Sequence, residues 1–177
     1  DLSTYVVAKQ RLTPFCVRLT GITQDIIDNA GIDLSDAVND LHTRVCDRPW
    51  ASWGDYDRHQ FERQCRSLGI RYPFGPRHIN VKTLFALAHG LDKEVELMRA
   101  YEIEGIGFSG RLHSGQDDAF NIARLLAMLV RRMRDPLGSV FEGRPVITDT
   151  WHKWIDEHKD VVVFHAGRYV GISHERG

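Results

Sequence analysis

Two short segments of the chain carry side chains suited to the hydrolysis of a phosphodiester. Residues 113–119 place an imidazole, His113, on a glycine-containing loop and a carboxylate, Asp118, five residues later, where a helix is predicted to begin. Residues 53–57 place a second carboxylate, Asp57, where a short apolar strand gives way to another helix. Carboxylate oxygens bind hard divalent cations, and the chain has no Cys/His spacing typical of zinc sites. The residues therefore indicate metal-assisted hydrolysis.

Each of these residues also has an ordinary structural explanation. Asp57 and either Asp117 or Asp118 lie at predicted helix starts, where the helix dipole favours a carboxylate and a side chain can cap the first turn. Asp55 is a competing carboxylate two residues before Asp57. For a lone histidine a surface or core role is the usual one, but among the nine in this chain only His113 has such neighbours.

Length and composition limit the class of protein. A chain of 177 residues with 42% hydrophobic residues and a mean hydropathy of −0.32 is sufficient for one good core. The net charge of −1 argues against a histone-like nucleic-acid binder, which needs clustered Lys and Arg. Cys16, Cys46 and Cys65 form no CxxC pair and are expected to be reduced thiols of a cytoplasmic protein. No signal peptide and no membrane-spanning run of about 18 apolar residues is predicted.

The pattern of apolar residues predicts strands that alternate with helices, and therefore an α/β fold built on a mixed sheet. Helix-period stripes and caps predict helices at 24–29, 35–45, 57–68, 82–89, 93–103 and 117–133. Strands are predicted at 4–8, 50–53 and 77–81, and Pro14-Phe15-Cys16 is predicted to be a turn. The helix from Asp57 is expected to bury Phe61, Cys65 and Leu68 on one face.

Asp135-Pro136-Leu137-Gly138 indicates a boundary between a domain at 1–134 and a C-terminal extension at 135–177. Within the extension, Trp151, Trp154, Ile155 and His158 have the spacing of one amphipathic helix face. Strands at 161–164 and 169–172, with a turn at Ala166-Gly167, predict a hairpin. A hairpin is marginal alone, so we expect it to pack on a free edge of the sheet; the alternative is docking onto a protein partner.

Three motifs resemble those of the DEDDh 3′–5′ exonucleases, most closely the ERI-1-like RNA exonucleases and bacterial KapD-type proteins. They are Leu19-Thr20-Gly21-Ile22-Thr23, Ser52-Trp53-Gly54-Asp55-Tyr56-Asp57, and residues 113–118 followed by Asn121-Ile122-Ala123-Arg124. The match to that branch is strengthened by Phe15-Cys16 and Gln64-Cys65. The resemblance covers about residues 1 to 133, and its motifs follow the family's order. The resemblance implies an RNase H-like fold and two-metal hydrolysis, with Mg²⁺ or Mn²⁺, at the 3′ ends of RNA or single-stranded DNA.

The resemblance also implies roles for particular residues. Asp57 and Asp118 match metal-binding acids, and His113 matches the general base that takes a proton from the metal-bound water. Asp117 is then a cap or supporting group. The terminal nucleotide is expected to pack against Leu19, Thr20, Gly21 and Ile22. Independently of the resemblance, Tyr56 or Trp53 is a candidate for stacking on a base, and Trp53 at a strand end is more often a core residue. Five arginines are candidates for phosphate contacts, namely Arg111, Arg124, Arg131, Arg132 and Arg134; the last three also fit a solvated helix end that suits the helix dipole.

The chain departs from the family pattern at its start, because no Asp-x-Glu strand precedes these motifs. Two acids and a His are too few for a pair of divalent cations about 3.5–4 Å apart. The missing strands are expected upstream of Asp1, on another chain, or replaced by the terminal hairpin, where Asp149 and Glu175 are the nearest acids. If Asp1 is the true start, we expect little metal-dependent nuclease activity. The alternative function is a catalytically degenerate scaffold that binds nucleic acid or protein.

Overall fold

The computed structural model describes residues 2–134, 161–165 and 168–172. The helices are α1 (Pro14–Thr20), α2 (Gln24–Ala30), α3 (Leu34–Val45), α4 (Tyr56–Leu68), α5 (Val81–Ala88), α6 (Leu97–Glu104) and α7 (Gly115–Arg134). The strands are β1 (Leu2–Ser3), β2 (Tyr5–Val6), β3 (Gly31–Ile32), β4 (Trp50–Ser52), β5 (His78–Asn80), β6 (Val161–His165) and β7 (Arg168–Ile172). In this part of the chain, no helix is both long and apolar enough to cross a membrane.

The main sheet is mixed, as the sequence predicts. Its strand order is β1-β7-β6-β4-β5, with β4 parallel to both β5 and β6, and with β7 antiparallel to β6 and β1. A separate two-stranded sheet pairs β2 with β3 in parallel. Because β4, β5 and β6 are parallel, their carboxyl ends lie at one edge of the sheet, and residues that follow β4 emerge at that edge.

The predicted terminal hairpin is part of this sheet. β6 and β7 pair along their whole length, and β6 lies beside β4 with Val162 opposite Trp50 and Val163 opposite Ala51. Both strands also contact α7. The expectation that the hairpin packs on a sheet edge is therefore confirmed. The predicted turn at 166–167, the helix at 151–158, and Asp149 and Glu175 lie outside the described residues, and the domain boundary at Asp135 stays a prediction.

The main core lies between α7, α5, α6 and the sheet. The apolar face of α7 is buried as its spacing predicts, with Ile122, Leu125, Leu126 and Leu129 each no more than 2% exposed. A second cluster joins Leu41 and Val45 of α3 to Trp50 and Phe74, whose rings stack 4.2 Å apart. On α4, Cys65 is buried and Phe61 partly so, but Leu68 is 41% exposed and does not complete the predicted face.

Two predicted elements are wrong in detail. Residues 14–16 are not a turn but the start of α1, which Thr13 caps through its side chain and Gly21 ends at φ 72°. Pro in the first turn and Gly after the last are ordinary helix signals, but seven residues without an apolar stripe obscured them. The helix predicted from Lys93 begins at Leu97, because Glu96 is extended (φ −70°, ψ 156°) and serves as its N-cap.

Candidate active site

Asp57 lies in the first turn of α4, immediately after the turn that follows β4. That turn passes through Gly54 at φ 91°, a conformation that glycine adopts without steric cost. The Asp57 residue is 7% exposed although it is a carboxylate. Its place in the first helical turn gives the charge a favourable interaction with the helix dipole, which makes a buried acid tolerable there.

The competing acid, Asp55, is the N-cap residue of α4, but its side chain makes no capping hydrogen bond. By its position Asp55 is thus a cap residue, although its side chain does not close the cap. Its carboxylate instead accepts a hydrogen bond from Asn80 Nδ2 at 2.9 Å and lies 3.7 Å from Arg58 Nε. Asp55 thus ties the start of α4 to β5.

Beneath this turn lies a buried hydrogen-bonded pair that the sequence analysis did not identify. The Ser52 hydroxyl donates to Gly54 O at 2.7 Å, because a carbonyl oxygen only accepts. Ser52 Oγ therefore accepts from His78 Nε2, also at 2.7 Å, which assigns the proton of the neutral ring to Nε2. Burial lowers the pKa of His78 to about 4, against a smaller opposing effect of Asp55, whose Oδ1 lies 3.5 Å from Nδ1.

Asp117 and Asp118 differ in their burial and in their hydrogen bonds. Asp117 Oδ2 accepts a hydrogen bond from the backbone N–H of Arg111 at 2.9 Å, and its carboxylate fills the space beside Gly110. Asp118 is 2% exposed, and its own backbone N–H donates to Ser114 O at 2.8 Å. Asp117 therefore holds the preceding loop, as expected of a cap or supporting group, while Asp118 stays a candidate for the chemistry.

His113 occupies a tight turn immediately before α7. The backbone N–H of Ser114 donates to Arg111 O at 3.2 Å, and His113 between them has φ 66° and an exposed side chain. A left-handed conformation costs a non-glycine residue about 1–2 kcal/mol. The loop before the turn is fastened as well, because Asn121 bonds both the N–H and the C=O of Ser109. Hydrogen bonds thus anchor the chain on both sides of Leu112, in the loop that leads to His113.

The predicted nucleotide-contacting residues lie at the end of α1. Leu19 and Thr20 are its last two residues, and Leu19 is 38% exposed. The φ of 72° at Gly21 favours glycine, and a Cβ there would displace the Arg111 guanidinium that lies beside it. The Arg111 guanidinium therefore occupies the space on one side of Gly21, and a nucleotide would have to contact Gly21 from another side. Tyr56, at the start of α4, is 71% exposed.

The structure joins some of the predicted site residues directly. Arg111 hydrogen-bonds to Thr20 O, so the end of α1 contacts the loop that leads to His113. Trp53, four residues before Asp57, and Ile122, four residues after Asp118, belong to the same buried cluster. That cluster ties the starts of α4 and α7 to one core. The convergence of the two carboxylates on a single cleft stays a prediction.

Besides Arg111, which bonds Thr20 O, two more of the five candidate phosphate-binding arginines have partners within the fold. Arg132 forms a two-pronged ion pair with Glu104, whose side chain is 3% exposed, and Arg124 bonds Gly107 O and lies over the Tyr101 ring. These contacts occupy their guanidinium groups within the fold. Phosphate contacts through Arg131 and Arg134 stay predictions.

The described residues fit a divalent cation only in part. Oxygen donors are what Mg²⁺ prefers, and one Mg²⁺ that keeps several waters is commonly held by one or two carboxylates and a substrate phosphate. A pair of ions needs more acids than Asp57 and Asp118. Within residues 2–134 and the two terminal strands, no group of three or more His, Cys, Asp or Glu side chains is arranged to hold a metal.

Curated proteins that are similar in sequence to this chain carry the names of 3′–5′ exonucleases or exoribonucleases. The chain is 29% identical over 138 residues to the 3'-5' exoribonuclease 1 of Rattus norvegicus and 27% identical over 143 residues to the 3'-5' exonuclease Snipper of Drosophila melanogaster. Each match covers 68% of this chain, but 38% of the rat protein and 50% of the fly protein, so the chain spans half or less of these curated relatives. No family model matches the chain.

The fold is also similar to a solved structure, the crystal structure of a full-length 3'-exonuclease. The TM-score is 0.66 at 22% sequence identity, over 96% of this chain and 53% of the other. At that identity the similarity supports the architecture, and the expected RNase H-like α/β fold is confirmed.

Proposed function

We propose that the chain is an ERI-1-like DEDDh 3′–5′ exonuclease that removes nucleotides from the 3′ ends of RNA or single-stranded DNA, in keeping with the names of its relatives. The observation that supports this best is a pair of buried carboxylates, Asp57 and Asp118, each in the first turn of a helix. His113 precedes the second of these helices on an anchored turn. The name of the rat relative favours RNA, which a protein distinguishes from DNA by contacts to the 2′-hydroxyl.

In this proposal the residues divide the work of hydrolysis. Asp57 and Asp118 would hold Mg²⁺ or Mn²⁺ through carboxylate oxygens, and the bound ion would supply a more acidic water and neutralise phosphate charge. The exposed His113 imidazole would take the proton of the attacking water as a general base. Further acids for a second ion would come from outside the described residues or from another chain.

The terminal nucleotide is proposed to lie against the segment formed by Leu19, Thr20, Gly21 and Ile22. Leu19 and Tyr56 present apolar surface to solvent that stacking or packing against a base would bury. Stacking on an aromatic ring tolerates any base, which suits an enzyme that trims many sequences. We place the activity in the cytoplasm, where free thiols such as the exposed Cys46 stay reduced.

A second function is favoured by one observation at the sheet. β6 lies directly beside β4, and its five residues, Val-Val-Val-Phe-His, include no Asp or Glu. The strand next to the proposed site therefore contributes no carboxylate to a metal centre. This favours a degenerate nuclease fold that binds nucleic acid, or a protein partner through residues 135–177, without cleaving it.

A trimming experiment separates the two functions. The protein is mixed with a 5′-labelled single-stranded RNA in Mn²⁺, with EDTA as the control, and both shortening and binding are measured. The enzyme function predicts stepwise shortening from the 3′ end that EDTA and Asp118→Asn abolish. Binding without shortening would overturn it in favour of the scaffold, and the same RNA with a blocked 3′ end controls for internal cleavage.

A further inference from the structure

The side chain of Arg111 connects two parts of the proposed site that are distant in sequence. Its guanidinium donates a hydrogen bond to Thr20 O, the last carbonyl of α1. A cation at a helix C-terminus interacts favourably with the helix dipole. Gly21 makes room for this contact, because a Cβ there would lie about 2.4 Å from Arg111 Nη2. The sequence thus keeps open, beside α1, the space that the guanidinium fills.

The backbone of the same residue is fixed to the His113 turn. Arg111 N–H donates to Asp117 Oδ2 at 2.9 Å, and Arg111 O accepts from Ser114 N–H at 3.2 Å. His113 lies inside the turn that this last bond closes. Both backbone polar groups of Arg111 are therefore engaged in the turn, while its guanidinium contacts the end of α1.

From this geometry we infer that Arg111 is a positioning residue that couples the nucleotide-contacting segment, Leu19 to Ile22, to the proposed base His113. The inference rests on the proposed function, which assigns those two roles. A nucleotide that shifts the end of α1 would move Thr20 O, and with it the guanidinium and the turn. Arginine suits this task because its planar, permanently charged group holds a fixed orientation that a lysine ammonium does not.

Nuclear magnetic resonance of the full chain tests the coupling without turnover. The probe is a single-stranded oligouridylate with a free 3′-hydroxyl, added in EDTA so that no cleavage takes place. Leucine methyl groups and histidine Cε1 positions are labelled, and the Leu19 and His113 signals are assigned by their loss in Leu19→Met and His113→Asn. The variants are Arg111→Met and Arg111→Lys. Arg99→Met is the matched control, since Arg99 is an exposed arginine paired with Glu102 on α6.

In the wild-type protein and in Arg99→Met we expect the oligonucleotide to shift both signals. Arg111→Met should keep the Leu19 shift and lose most of the His113 shift, and Arg111→Lys should restore part of it. Should Arg111→Met fail to fold, Gly21→Ala displaces the guanidinium from the other side and should give the same pattern. A full His113 shift in either variant would overturn the coupling.

Two further outcomes are distinct from that one. If Arg111→Met loses both shifts together through weaker binding, Arg111 contacts the phosphate directly and the coupling is wrong while the proposed function stands. If the wild-type protein shows no shift at Leu19, the nucleotide does not lie on this segment, and the substrate assignment fails together with the inference built on it.

Discussion

The carboxylate of Asp117 accepts a hydrogen bond from the backbone N–H of Arg111, at an Oδ2–N distance of 2.9 Å. This contact spans the turn that contains His113 and ties it to the first turn of α7. The neighbouring Asp118 is more deeply buried and belongs to the same helical turn. We therefore assign Asp117 to support of the loop and Asp118 to the proposed metal site. Substitution of Asp117 should affect stability, and substitution of Asp118 should affect metal binding.

Asp118→Asn should weaken Mn²⁺ binding about tenfold or more, since it removes a charged oxygen ligand. Asp117→Asn should leave Mn²⁺ affinity close to that of the wild type, because its oxygen can still accept from Arg111. It should lower the free energy of unfolding by about 0.5–1 kcal/mol through loss of charge at the helix start. Calorimetric titration and urea denaturation measure the two effects. An equal loss of Mn²⁺ affinity in both variants would show that the acids have been assigned wrongly.

His113→Asn should separate stability from activity. The residue at position 113 has φ 66°, a left-handed conformation that Asn adopts readily because its short polar side chain can hydrogen-bond locally. We therefore expect an unfolding free energy equal to or slightly above that of the wild type, while trimming falls by about 10² or more because the proton acceptor is gone. Ala is the matched control, since it removes the imidazole without gaining tolerance for this conformation. A large loss of stability in His113→Asn would mean that the imidazole has a structural role.

Stability should fall in mild acid because of His78. Its pKa is about 4 in the folded protein and 6.5 ordinarily, so the unfolded chain takes up a proton that the folded one resists. The associated stability is complete above pH 6.5 and is lost as the pH falls towards 4, by on the order of 3 kcal/mol. His78→Gln keeps a donor for Ser52 but cannot titrate, so urea denaturation between pH 7 and pH 4 should show a flatter profile. The exposed His59→Gln serves as control, and an unchanged slope in His78→Gln would contradict the assignment.

The ion pair between Glu104 and Arg132 should be important for stability. Arg132 binds both oxygens of Glu104 at 2.5–2.6 Å, and His89 Nε2 lies 3.0 Å from one of them, with the Glu104 side chain 3% exposed. Glu104→Gln leaves a partly buried guanidinium without its carboxylate and should cost about 3 kcal/mol. The matched variant Glu102→Gln removes an exposed pair with Arg99 and should cost less than about 1 kcal/mol. Similar losses in thermal denaturation would refute the distinction.

Much of the architecture could be predicted from the sequence, because the spacing of apolar residues and the capping of helices depend on residues close together in the chain. The apolar stripe of α7 and the Thr23 and Gly69 boundaries of α2 and α4 were predicted within a few residues. The two-residue strands β1 and β3 were not, since pairing across the sheet and not local preference defines them. The helix α1 was missed for a related reason, being too short to show a stripe.

The site was predicted as a set of residue types, but its supporting contacts were not. Ser52 inside an apolar strand was a signal of a buried hydrogen bond, yet its partner His78 lies 26 residues away and only the β4–β5 pairing brings them together. The contact between Arg111 and Thr20 spans 91 residues. Such pairs form only when the folded chain brings distant residues together, so the spacing of residues in the sequence does not predict them.

Whether Asp57 and Asp118 hold one cation is tested most directly by paramagnetic broadening of backbone amide signals in substoichiometric Mn²⁺. Broadening falls steeply with distance from the ion, so a shared site requires the starts of α4 and α7 to respond together. We predict loss of the Asp57, Asp118 and His113 amide signals at the same Mn²⁺ concentration, and recovery of all three in Asp118→Asn. Broadening confined to one helix, or undiminished at Asp57 in Asp118→Asn, would contradict the proposed active site.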